Sequence, residues 1–284
     1  MQNNMSFGRE VASVLLKVIG VVLTLILIVV GLVAIGYSYT GVGDGICNIA
    51  VMPIEGELMP LGYSSDYLDF TTTPTDVRDF ITGVHNDETG QIKGVLFEIN
   101  SPGGTPVAAE SIAKQIKSLD LPNAALIGDM GASGGYMVAS AANRIFASSM
   151  SQIGSIGVTM SYVENSEKNK KDGLTYVPLT TGKYKDAGST EKPLSAEDRS
   201  YFESQLAIVY NEFIKLVATN RSITEDEVRA IADGSTMIGT QAVDKKLVDE
   251  IGDRESVRAY FAEKLNLDAS DITFCEYKQP LGII

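Results

Sequence analysis

The chain has 284 residues, 44% hydrophobic and 21% charged, with 36 acidic against 23 basic side chains and a net charge of −13 at pH 7. That length accommodates one large domain or two small ones with ample core volume. The acidic balance, with no basic stripe to release counterions, argues against a nucleic-acid partner.

Taken in chain order, residues 1–17 form a short arm carrying Arg9 and Lys17. From Val18 to Ile35 the sequence VIGVVLTLILIVVGLVAI holds eighteen residues without a charge. At the helical rise this is about 27 Å, close to the hydrocarbon thickness of a bilayer, so a single transmembrane helix is predicted over 18–36. A cleaved signal peptide is the competing reading. Its apolar region is normally shorter, and GYSYTGVGDG offers no convincing small-x-small cleavage site. No basic residue follows the span until Arg78, so the positive-inside rule keeps the arm cytoplasmic and places the remainder outside the cell membrane. Residues 37–46 read as a linker and residues 47–284 as one extracytoplasmic domain. Cys47 and Cys275 stand near opposite ends of that domain. An oxidising compartment would let them pair, but two cysteines make neither a disulfide framework nor a metal site.

ICNIAVMPIEG predicts a first strand. Val77, Phe80, Ile81 and Val84 recur at helical spacing and predict a helix from about 75 to 84. IKGVLFEIN is a continuous apolar run suited to a strand buried on both faces. SPGGT then turns into a helix over 106–119, and AALIG supplies another strand. RIFAS, SIGVTMSYV and LTYVPL predict further strands, with a short helix over 163–172 whose KNKK is a solvated end. From Ser195 to Asn220 the face Tyr201, Phe202, Leu206, Val209, Phe213, Leu216 and Val217 predicts a long packing helix behind a Ser195/Asp198 cap. Two shorter helices and a strand near ITFCEY close the chain. Alternating strands and helices indicate an α/β fold of stacked βαβ units.

Within GDMGASGGYMVASAA, the GASGG pattern matches G-x-S-x-G, the nucleophile elbow, which needs a strand before the serine and a helix after it. AALIG and GYMVASAA supply both, so Ser133 is a candidate nucleophile. Its activation is the difficulty. The one histidine, His85, lies upstream in the polar segment GVHNDETG, which reads as a surface loop, and this disfavours a serine-histidine triad. A lysine can replace the histidine if its pKa falls from about 10.4 to near 7 or 8, at a cost of about 4 kcal/mol, which takes an apolar and ordered setting. TGKYKDAGS follows an apolar strand and contains two glycines, so Lys183 or Lys185 could project from a fixed turn; the residues alone do not choose between them.

GDMGASGGYMVASAA, with SQIGSIGV, INSPGG, TGKYKDAGS and DGSTMIGTQAVDKKLVDEIGD in this order, resembles the bacterial signal peptide peptidase A family over about Ile49 to Asp253. These are membrane-anchored serine-lysine peptidases of ClpP/crotonase-like fold. The resemblance places the nucleophile on Ser133, the general base on Lys185, and a lysine-orienting serine on Ser155. It puts Gly103 and Gly104 in an oxyanion-hole loop, where the absent Cβ lets backbone N–H groups approach the substrate. Gly134 N–H is the second expected oxyanion donor. Gly131 and Asp244-Lys245-Lys246 depart from the family's usual residues without touching this chemistry. The resemblance further implies remnant signal peptides as substrates and a homo-oligomer with sites at subunit interfaces, and it implies no metal or organic cofactor. A crotonase-like acyl-CoA enzyme or a non-catalytic oligomeric membrane scaffold would share the fold, but neither accounts for the serine, the lysine and the anchor together.

Overall fold

The computed structural model describes residues 17–30, 47–61, 71–87 and 89–277. The predicted arm up to residue 16, the second part of the predicted span from residue 31, the linker and the apolar end PLGII lie outside the described residues. Residues 17–30 are helical (α1) with exposed side chains, and no helix among the described residues is long and apolar enough to cross a membrane.

Beyond residue 47 strands and helices alternate around a nine-stranded sheet. Its centre is β1 (Ile49–Leu58), β3 (Gly94–Gly104) and β4 (Asn123–Ala132), all parallel. Both outer members of this trio divide their free edge between two short strands. β1 pairs with β9 (Phe274–Glu276) at its start and β2 (Thr71–Thr72) at its end, while β4 pairs with β5 (Ile145–Ala147) and then β6 (Gln152–Gly154). β8 (Glu250–Ile251) extends β5, and β7 (Thr236–Ile238) is antiparallel to β6.

Both faces of the sheet are covered, which explains the continuous apolar runs of its central strands. Ala50, Met52 and Ile54 of β1, with Val95, Phe97 and Ile99 of β3, point into the larger core. Ile49, Val51 and Leu96, the alternate positions, join Phe146, Val257 and Phe261 in a smaller one under α9 (Arg254–Leu265). The larger core is roofed by α2 (Pro74–His85) and α3 (Pro106–Lys117). A capping box of Thr73 and Asp76 starts α2, which buries the predicted Val77, Phe80, Ile81 and Val84, and Thr105 caps α3. His85 ends α2 and is exposed. Cys47, just ahead of β1, is bonded to Cys275 in β9, with Cα atoms 5.6 Å apart and both residues buried.

Three expectations need correction. β6 ends at Gly154, so the predicted strand SIGVTMSYV is not one. LTYVPL belongs to no strand either. Among the described residues no backbone partner lies alongside it: none of the N–H groups from Thr175 to Thr181 donates to another main-chain group there. Apolar alternation marks a segment that favours extension, but cannot say whether an edge is within reach. The residues from 158 to 194 instead form an outer limb bearing α5 (Ser166–Lys171) and otherwise turns and extended chain. Finally, the apolar side chains that α6 (Ala196–Arg221) buries are Phe213, Ile214, Val217 and Ala218, all in its C-terminal half. Tyr201, predicted to pack on the core, stacks on Tyr184 of the limb at 4.4 Å between ring centres. Two further short helices, α7 (Glu225–Arg229) and α8 (Gly239–Asp244), lead to β7 and β8 respectively from the end of α6 onward.

Candidate active site

Ser133 is the single residue between β4 and α4 (Gly134–Ala139), with φ 52° and ψ −124°. A side-chain-bearing residue at positive φ is strained and persists only where the surroundings hold it. Here its N–H donates to the Gly154 carbonyl at 2.8 Å and its carbonyl accepts from Met137 N–H at 3.0 Å. Gly135 supplies the close approach, since a Cβ there would lie 2.5 Å from the Ser101 carbonyl oxygen. The side chain of the serine is thereby directed out of the tight strand-to-helix turn, as the elbow pattern requires. Tyr136, fully buried on α4, anchors the helix by donating to the Leu247 carbonyl at 2.8 Å, and burial pushes its phenol well above the usual tyrosine range.

The SPGG stretch, expected as a turn but forming the end of β3, passes against this elbow. Gly103 has φ 107°, and a Cβ on it would come within 2.7 Å of Gly134 N and 2.8 Å of Ser133 Cβ. At Gly104 a Cβ would lie 2.1 Å from the Leu58 carbonyl oxygen, so both positions demand glycine. The backbone nitrogen of Gly104 sits 3.3 Å from where a Gly134 Cβ would stand, which brings the two main-chain segments together beside Ser133. As the first residue of α4, Gly134 has an N–H without an intrahelical acceptor.

Ser155, also at positive φ (50°), follows β6 and faces the same space. Its N–H donates to the Ser235 carbonyl at 2.8 Å and its hydroxyl donates to the Gly234 carbonyl at 3.0 Å. Ser133, Gly104, Gly134, Ser155 and Asp233 border one open cleft of 480 Å³, with Met137, Tyr210 and Phe213 as its apolar wall. Among the described residues Asp233 is the sole charged group there, and sequence reasoning missed it. Its carboxylate accepts from the Ser235 hydroxyl at 2.6 Å and the Ser235 N–H at 2.9 Å, bonds that hold the carboxyl below its usual range. The signal that could have found it is Asp-Gly-Ser, a composition suited to a tight side-chain-bonded turn.

Lys185 is not part of this cleft. It lies exposed in the limb, in the turn closed by its own N–H to the Gly182 carbonyl at 3.1 Å. Its neighbours are engaged elsewhere. Lys183 pairs with Glu197, which holds its ammonium pKa above the ordinary value. Asp186 pairs with Lys192 at 2.7 Å and accepts from the Tyr176 hydroxyl, both of which lower its carboxyl. Among the described residues Lys185 has no ion-pair partner. Within one chain, then, Ser133, Ser155, Gly103, Gly104 and Gly134 are gathered and Lys185 stands apart.

Residues 115–268, more than half of the chain and including Ser133, Ser155 and Lys185, match the model of peptidase family S49. The chain belongs to that family. An Enterococcus faecium protein provisionally named signal peptide peptidase SppA is 34% identical over 235 residues, covering 81% of this chain and 67% of the relative. A Methanocaldococcus jannaschii protein provisionally named as a protease is 32% identical over 206 residues, 72% of this chain and 66% of the relative. The chloroplastic serine protease SPPA of Arabidopsis thaliana is 31% identical over 197 residues, 68% of this chain and 29% of that protein. The chain thus spans about two thirds of the length of the first two relatives. With these relatives the chain falls in the signal peptide peptidase A family, and its class is that of a serine peptidase.

Proposed function

We propose that the chain is a membrane-anchored serine endopeptidase that degrades remnant signal peptides, with Ser133 as nucleophile and Lys185 of a neighbouring copy as general base. The observation that carries this reading is the strained Ser133 turn, with Gly104 and Gly134 closing on it beside an open cleft. Neutral Lys185 removes the Ser133 proton as Oγ bonds to the substrate carbonyl carbon. The resulting oxyanion is held by the N–H groups of Gly104 and Gly134, each such donor contributing about 3 kcal/mol. The ammonium then protonates the departing amine as the C–N bond breaks, leaving an ester on Ser133. The free amine next deprotonates a water, which attacks the ester and returns Ser133 with its proton. Ser155 orients the amine. An ammonium becomes a base near neutral pH only when it is desolvated, and docking of the limb on a second copy supplies that desolvation.

Three observations support the setting. The eighteen uncharged residues from Val18 to Ile35, helical where described, suit a retained span with the catalytic domain outside the cell. The Cys47–Cys275 bond fits an oxidising compartment. Met137, Val209 and Phe213 make the cleft suitable for apolar peptide side chains.

The test is fragment mapping by mass spectrometry, using the full chain in detergent and a synthetic signal peptide. Ser133→Ala and Lys185→Ala should each lower turnover by about a thousandfold or more while preserving the fold. Mixed oligomers of the two variants should recover about a quarter of the wild-type sites, the chance that an intact serine meets an intact lysine across a head-to-tail contact. Unimpaired cleavage by Lys185→Ala would refute the base assignment, and thioester turnover without peptide cleavage would point to acyl-CoA chemistry instead.

A further inference from the structure

A second groove, of 580 Å³, runs between α3 and α6. Its apolar floor is formed by Ala113, Phe213 and Leu216, and its lips by Val107 and Ile208, which are 69% and 58% exposed. It opens directly into the Ser133 cleft, because Pro106, Met137, Val209 and Phe213 border both. None of the described residues fills it.

The outer limb has the opposite character. Val177 and Leu179 are 70% and 94% exposed, and Leu174 is also turned to solvent. The backbone that carries them belongs to no helix or strand, and among the described residues its N–H groups from Thr175 to Thr181 have no main-chain partners. Apolar side chains so fully presented on an unpaired segment have no role in the stability of their own chain. The limb is tied down, however: Tyr184 stacks on Tyr201 of α6 and Lys192 pairs with Asp186.

We infer that the groove between α3 and α6 is the seat of Val177–Leu179 from a second copy of the chain. Resting on the two-copy reading of the site above, the inference adds where the second copy is held. Chain geometry makes the link. Leu179 and Lys185 are six residues apart, which spans at most about 20 Å when extended. A limb with Leu179 in the groove therefore keeps Lys185 within reach of the adjoining Ser133 cleft, which shares part of the groove's lining. The contact is head-to-tail, limb to groove, so every copy offers one of each and a closed ring satisfies all of them.

The two native cysteines are bonded to one another, so thiols introduced at 107 and 179 can be read without interference. Under mild oxidation of the full chain in detergent, Val107→Cys alone and Leu179→Cys alone should give no cross-linked product. Their mixture should give covalent dimers, and the double variant a ladder of higher multimers. In parallel, Leu179→Asp, at a side chain that its own chain leaves free, should cut peptide turnover more than tenfold while the monomer keeps its melting temperature. An oligomer intact by light scattering but without 107–179 cross-links would overturn the groove assignment and leave the shared serine-lysine site standing. A protein that remains monomeric would sink both. Cross-linking of Val107→Cys to a cysteine-bearing signal peptide rather than to Leu179→Cys would assign the groove to substrate and equally overturn the inference.

Discussion

The body of the molecule and its outer limb spend similar apolar residues in opposite ways. In β1, Ile49 to Ile54 includes five side chains that are essentially inaccessible, alternating between two cores on the two faces of the sheet. In the limb, LTYVPL has comparable apolar content, and its Leu174, Val177 and Leu179 face solvent. Hydrophobicity in a sequence thus does not by itself say which side chains the chain buries on itself and which it leaves facing solvent. α6 shows the boundary within a single helix, with Phe213 to Ala218 committed to the core and the N-terminal turns given over to the limb.

The sharpest way to break this contrast is to truncate one side chain from each region. Phe80 is fully buried and packs edge-on against Phe97 and Tyr277, so Phe80→Ala should destabilise the domain by about 3–5 kcal/mol in urea unfolding. Leu179→Ala should change monomer stability by less than about 0.5 kcal/mol and weaken self-association instead. Equal effects of the two on unfolding would erase the distinction. Somewhat smaller is the contribution of the Cys47–Cys275 bond, whose closed loop is among the longest the chain could form. Replacing both cysteines by serine should cost about 2–5 kcal/mol, measured on the body, and should leave limb-dependent assembly of the folded fraction unchanged.

Much of the body was legible beforehand because its elements are locally consistent. The cap at Thr73 and the spacing of Val77, Phe80, Ile81 and Val84 specify α2, and the elbow around Ser133 combines a pattern with a strand and a helix that the flanking residues independently favour. What was not legible depends on partners distant in sequence. LTYVPL reads as a strand whether or not an edge lies beside it, and Tyr201 and Phe202 continue a helical face whose counterpart is the limb rather than the core. The pairing of two cysteines separated by 228 positions and the entry of Asp233 into the cleft likewise follow from sheet closure.

Asp233 sharpens the comparison at the point where the regions would meet. Its carboxylate braces Ser235, and the Ser235 and Gly234 carbonyls in turn hold Ser155, which suits a positioning role. Asp233→Ala should lower kcat by about tenfold, equivalent to about 1.4 kcal/mol, with KM little changed. Asn at this position keeps the turn acceptor, so Asp233→Asn should lie closer to wild type. Loss of KM alone would instead mark Asp233 as a substrate contact.

The smallest expected effect is on acid stability. The Glu227 carboxylate accepts from the Thr224 N–H, pairs with Lys246 at 2.9 Å and accepts from the Thr224 hydroxyl, which together hold it at about 2 rather than 4.5. A carboxyl depressed on folding stabilises above its unfolded pKa, and that contribution declines as pH falls through the folded value. The cap of α7 and its tie to Lys246 should therefore weaken between pH 4.5 and 2. In urea midpoints taken across that window, Glu227→Gln should flatten the body's acid slope. Asp186, lowered by Lys192 in the limb, obeys the same sign, so an unchanged slope in Glu227→Gln would shift the acid sensitivity to the limb.

The covalent bridge between Cys47 and Cys275 has a mechanical corollary. Because main chain enters ahead of β1 and departs through β9 at one spot, tension applied across residues 47 and 275 is borne by a single sulfur-sulfur link and does not peel the strands lying between them. Whatever tugs on either flank of the domain, its hydrogen-bonded interior is shielded from the load.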